Sequence, residues 1–145
     1  MSQPSIDPSE DTAPEPVSPQ RPASQTWIRW LAPFYALLFC IILGLAYTGN
    51  LPKFLSQIPN YDIPGHIILY AMASYLGHRF SQWKMIRILG RSLPLFPLGF
   101  TVWTVAEECF QSLSPNRTFS GVDLVCSLLG IVLGWKLADR DRVTS

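Results

Sequence analysis

Polar and apolar residues separate into blocks along this chain instead of alternating. Residues 1–26 are polar. Four apolar segments follow, at about Trp30–Thr48, Ile63–Phe80, Ser92–Phe110 and Phe119–Ala138. Each is close to the roughly 20 residues an α-helix needs to cross a hydrocarbon layer of about 30 Å. Gly49, Asn50 and Pro52 end the first segment. Pro94 and Pro97 stand in the first turns of the third, where a missing amide hydrogen does least harm. The pattern predicts an all-α protein. Residues 27–140 would form an integral membrane bundle of four transmembrane helices, and residues 1–26 a disordered N-terminal tail.

Composition agrees with that division. Charged residues are only 14% of the chain and aromatic residues 12%, against about 25% charged in an average soluble protein. The tail carries six prolines, four acids and one arginine, and has almost nothing to bury. It is long and acidic, unlike the short basic start of a secretory signal, so the first segment is expected to remain as an anchor. A net charge of +1 gives no argument for a nucleic-acid partner. Cys40, Cys109 and Cys126 stand far apart without a C-x-x-C pair, and each reads as a small buried residue.

Basic residues set the expected orientation. Arg79, Lys84, Arg87 and Arg91 crowd the segment between helices two and three, Lys136, Arg140 and Arg142 follow helix four, and Arg29 precedes helix one. The other two connections carry only Lys53 and Arg117. Short Lys- and Arg-rich segments stay in the cytoplasm, so both termini are expected there and the protein is a multi-pass protein of the cell membrane. His78 then reads as an interface charge beside Arg79.

The candidate chemistry gathers at the opposite end. Glu107, Glu108, Gln111, Arg117 and Asp123 fall within seventeen residues between two apolar runs, where ionisable groups are costly to keep. His66 lies one turn into helix two at the same depth. Thr104, Glu108 and Gln111 share a helix face, and Glu107 is rotated about 100° from Glu108, toward another neighbour or the headgroups. His66, Tyr70 and either Ala73 or Ser74 form a second stripe. Asp123, Ser127, Gly130 and Gly134 form a third, polar at its outer end and small further in, as suits close helix approach in lipid. Simpler roles compete. Asp123 and Ser120 have capping-box spacing, Asp62 before Pro64 has the look of an N-cap, and Arg117 can bind lipid phosphate or pair with Glu107. Helices two and four both begin at this end, so their positive termini converge there. No nucleophile elbow, phosphate-cradling glycine loop, nucleotide fingerprint or metal-ligand spacing occurs, so no cofactor and no metal are expected.

Glu108-x-x-Gln111-x-x-x-Pro115-x-Arg117, followed by Ser120-x-x-Asp123, Gly130 and Gly134, resembles the motif of VanZ-like membrane proteins. Asp62-x-x-x-His66-x-x-x-Tyr70 resembles that family's other motif. The likeness spans about residues 30–138. It departs at Ile63, where lysine is common in the family, and at Ser127, where asparagine is. It implies a small bacterial membrane protein of the cell envelope, the founding member being associated with glycopeptide (teicoplanin) resistance. The leading expectation is an outward-facing polar site formed by His66, Glu108, Gln111, Arg117 and Asp123, with Asp62, Tyr70, Glu107 and Ser127 as secondary members. Its partners would be the bilayer and a lipid-linked or anionic envelope component. The alternatives are a structural or assembly protein whose polar residues join helices, and an enzyme acting on envelope lipids or precursors. The sequence assigns no oligomeric state.

Overall fold

The computed structural model describes residues 26–52, 61–111, 113 and 120–144. The tail up to residue 25, Lys53 and Arg117 lie outside them. The described chain forms helices α1 (Thr26–Tyr47), α2 (Asp62–Phe80), α3 (Leu95–Gln111) and α4 (Gly121–Thr144), with strands β1 (Met85–Ile88) and β2 (Arg91–Pro94) between α2 and α3. Two helices are long and apolar enough to cross a membrane, Thr26–Tyr47 and Gly121–Arg142. α3 is a 17-residue helix, about 26 Å long at 1.5 Å per residue. α2 carries Asp62, His66, His78 and Arg79 among its apolar residues.

Local chemistry explains the helix ends. α1 closes on Gly49, whose φ of +69° only glycine adopts without penalty. The Asn50 amide donates to the Leu45 carbonyl and the Gly49 amide to that of Ala46, which is a Schellman ending. α2 ends the same way without a glycine: Gln82 takes φ 56°, and the Trp83 amide donates to the His78 carbonyl. This ending throws the Trp83 indole back over α4, where its Nε1 donates to the Ala138 carbonyl at 3.2 Å.

The strands correct two expectations. Ser92, Leu93 and Pro94 belong to a strand, so the third helix starts at Leu95. The basic segment between helices two and three is an antiparallel hairpin, Met85 facing Pro94 and Ile88 facing Arg91. Leu89 and Gly90 make its turn at φ 51° and 77°, the left-handed pair that a two-residue turn needs to match strand twist. Pro94 is tolerated because it closes the strand.

The helices run alternately up and down. α2 and α4 make the largest interface, and its closeness comes from glycine. A Cβ on Gly134 would lie 2.1 Å from the Ala71 carbonyl oxygen, and one on Gly130 2.6 Å from that of Ile67. Ser74 Oγ donates across this seam to the Ile131 carbonyl at 2.8 Å. α3 seats the Phe96 ring against Gly77, where a Cβ would collide with it. α1 packs chiefly on α2: the Tyr35 hydroxyl donates to the Leu69 carbonyl at 2.8 Å. Phe39 meets Tyr70 edge-on at 5.2 Å and also reaches Phe100 and Trp103. Beside the buried Phe39, Tyr70, Leu76 and Ile131, many polar side chains are inside and many large apolar ones outside. Ser74, Thr104, Glu107, Glu108, Gln111 and Ser127 are buried, whereas Phe34, Leu37, Val102, Phe110 and Leu129 are exposed. Cys126 is buried, but Cys40 and Cys109 are exposed, contrary to expectation.

Candidate functional site

The up-and-down order brings the start of α2, the end of α3 and the start of α4 together. Thr104, Glu107, Glu108 and Gln111 are all buried on α3. They stand at positions i, i+3, i+4 and i+7, one face of a helix. Glu107 therefore turns inward, contrary to the expectation that it faces elsewhere or the headgroups. Its Oε1 accepts from Gln111 Nε2 at 2.5 Å, while its Oε2 is buried without a hydrogen-bond partner. The four-residue step to Gln111 was the signal for this pair.

Glu108 settles what Asp123 does. Ser120 Oγ accepts from the Asp123 amide at 3.2 Å, which is half of a capping box. The other half would have the Asp123 carboxylate accept from the Ser120 amide. Glu108 Oε1 takes that amide instead, at 2.9 Å from α3. A carboxylate from another helix thus caps α4, and the Asp123 side chain is released from the cap. It turns to α2, where its Oδ2 lies 3.9 Å from His66 Nε2. The other imidazole nitrogen, Nδ1, is 3.0 Å from Ser127 Oγ. Each nitrogen of His66 therefore faces a polar atom of α4, and its ring stacks on Tyr70 at 5.8 Å and 12°.

Asp62 makes no N-cap hydrogen bond. The capping position is Tyr61, with helical φ and ψ, and Asp62 is the first residue of the helix proper. There an acid suits the positive end of the helix. Asp62, His66 and Tyr70, one above the other on α2, line a cavity of about 240 Å³. Gln111 adds a wall from α3; Phe39, Ile42, Leu43 and Ala46 of α1 complete the apolar side. Its lining is predominantly apolar, with Asp62, His66 and Gln111 among its polar members. Among the candidates, His66, Glu108, Asp123 and Ser127 join through contacts across three helices. Glu107 pairs with Gln111, and Asp62, Tyr70 and Gln111 share the cavity wall with His66. Arg117 lies outside the described residues. Among the described residues no three His, Cys, Asp or Glu side chains gather as a metal site requires.

A second polar cluster, at the other end, is one that sequence reasoning missed. His78 is fully buried, with Nε2 3.2 Å from Asp139 Oδ1, so it is not the interface charge expected. Arg79 Nη1 lies 3.1 Å from Asp141 Oδ2 and also donates to the Tyr75 hydroxyl, which donates to Asp141 in turn. Trp27, Tyr75 and Trp83 place their rings 5.4 to 5.9 Å from the guanidinium carbon. α4 continues to Thr144 instead of stopping at Ala138, and this extra length carries both aspartates against α2. The three- and four-residue steps from Tyr75 to His78 and Arg79 were the available signal. Comparison with protein-family models, curated proteins and solved structures gave no match to this chain.

Proposed function

We propose that this is a four-span membrane protein of the VanZ-like type, with both termini cytoplasmic and the His66 end facing outward. There it receives the polar headgroup of an envelope lipid or lipid-linked precursor. The observation that carries this reading is the cavity beside His66. Its wall is predominantly apolar, from α1 and α2, with Asp62, His66 and Gln111 as polar members, a lining that suits a molecule with a polar head and an apolar chain. The inverted distribution of polar and apolar surface supports the bilayer setting, because lipid accepts Phe34, Leu37 and Val102 on the outside where water would not. Asp62 lines the cavity and Asp123 lies 3.9 Å from His66, so hydroxyl or amine donors on the headgroup find acceptors. Recognition of an anionic headgroup rests on Arg117. A role in envelope homeostasis or glycopeptide resistance follows from such binding.

Alanine at Glu108, Arg117 or Asp123, scored for envelope-drug sensitivity alongside protein abundance, tests the reading. The expected result is loss of the phenotype at normal abundance for Asp123→Ala and Arg117→Ala. An intact phenotype in all three variants overturns it. A second reading, polar groups as interhelical joints only, draws on the Glu108 contact to the Ser120 amide. It predicts that phenotype and abundance fall in proportion in every variant.

A further inference from the structure

The hairpin between α2 and α3 has a composition that its place in the bundle does not use. All four residues of β1 are exposed, and a lone two-stranded hairpin is marginally stable in water. Cross-strand partners share a face, so Ile86 and Leu93 lie on one side with Ile88 and Arg91 beyond them. At the tip Leu89 is 99% exposed. Its φ of 51° is a left-handed conformation that asparagine, aspartate or glycine ordinarily fills in such turns. A leucine there carries the backbone penalty and presents its whole side chain outward, an arrangement that gains only when Leu89 is buried. Lys84, Arg87 and Arg91 are exposed around it, and no acid occurs from Lys84 to Leu95. The apolar tip is therefore ringed by one sign of charge.

We infer that the hairpin is an interfacial anchor for an anionic membrane surface. Leu89, Ile86 and Ile88 seat among the headgroups and upper acyl carbons, and Lys84, Arg87 and Arg91 reach the lipid phosphates. The inference rests on the membrane reading above: α2 ends and α3 begins at the base of the hairpin, so a bilayer around those helices brings its surface to within one four-residue strand, about 13 Å, of the tip. Anionic leaflets attract juxtamembrane cations, each favouring the bound position by about fivefold, and such attraction is weakened by salt.

The full-length protein, reconstituted in nanodiscs, tests this through an environment-sensitive fluorophore on a single cysteine. One sample carries Leu89→Cys with Cys40, Cys109 and Cys126 replaced by alanine. The other keeps only Cys40, which is exposed on α1. In phosphatidylcholine mixed with phosphatidylglycerol, the position-89 probe is expected to shift to the blue and to be quenched by brominated lipid. In phosphatidylcholine alone both effects are expected to be several-fold smaller, and Arg87→Glu with Arg91→Glu to reduce the anionic result to that level. A water-exposed position-89 probe, or equal protection in both lipids, overturns the anchor while an apolar signal from Cys40 leaves the membrane reading standing. A blue shift in detergent that grows with protein concentration assigns the tip to a second copy of the chain and overturns the anchor. An aqueous signal from Cys40 removes the membrane reading and the anchor together.

Discussion

The two ends of the bundle repeat one chemical pairing, an imidazole of α2 against an aspartate of α4, and use it differently. His78 and His66 are twelve residues apart on α2, about 18 Å along the helix. His78 is wholly buried, 3.2 Å from Asp139, and the neighbouring Arg79 pairs with Asp141 and meets three aromatic rings. That end is filled. His66 stands 3.9 Å from Asp123, with side chains 17% and 19% exposed, beside an open cavity. The same two residue types thus join α2 to α4 at both ends, with the imidazole wholly buried at one and bordering the cavity lined by Asp62 and Gln111 at the other. What differs is the burial of the imidazole and what lies beside it, not the identity of the pair.

The largest expected effect removes both ends together. Gly134→Leu forces α2 and α4 apart between the two pairs, because even a Cβ there collides with the Ala71 backbone. A loss at or above the roughly 3 kcal/mol upper range of overpacking is expected, read as failure to recover folded protein in detergent. Near-normal melting would mean that the glycine seam does not join the two ends.

Next comes the filled end. Arg79→Met is expected to lower stability by about 2 kcal/mol, from a partly exposed ion pair and the cation–aromatic contacts. A thermal-melt cycle with Asp141→Asn isolates the pair, and additive losses would show that the two residues do not interact. At the open end the His66–Asp123 contact is long, 3.9 Å, so His66→Ala and Asp123→Asn should each cost less than about 1 kcal/mol, yet abolish the envelope phenotype. Should their melting temperatures fall as far as that of Arg79→Met, the contrast between the ends disappears.

The smallest effect separates the two duties of Glu108. Glu108→Gln retains an oxygen for the Ser120 amide and should change stability by no more than about 0.5 kcal/mol, whereas Glu108→Ala forfeits the cap and costs about 1 kcal/mol. Equal losses in detergent melts would show that its carboxylate charge, not its acceptor oxygen, holds α4.

Several of these contrasts were legible from spacing. Thr104, Glu108 and Gln111 on one face, and Ser127, Gly130 and Gly134 along another, follow from 3.6 residues per turn and from the need for small residues where backbones meet. Asp62 reads as a cap because its spacing to Pro64 allows a cap one residue later than the one formed, at Tyr61. His78 was misread because helix four was expected to stop at Ala138. The polar residues beyond look like a cytoplasmic fringe in one dimension, and become buried partners only when α4 keeps its helix and lies on α2. The hairpin escaped notice because four-residue strands carry few alternations, and the basic residues signalled only a loop.

The sequence by itself determined the division into a polar tail and four helical segments, since hydropathy and helical period are properties of consecutive residues. It also determined which faces were polar or small. Tertiary structure alone decided that Glu108 caps α4 and that His66, rather than the cap, receives Asp123. It alone decided that His78 and Arg79 are locked inside while His66 borders a cavity. Those outcomes depend on which of several acceptors reaches a given donor first. That is a matter of distances between helices far apart in the chain, which no local pattern encodes.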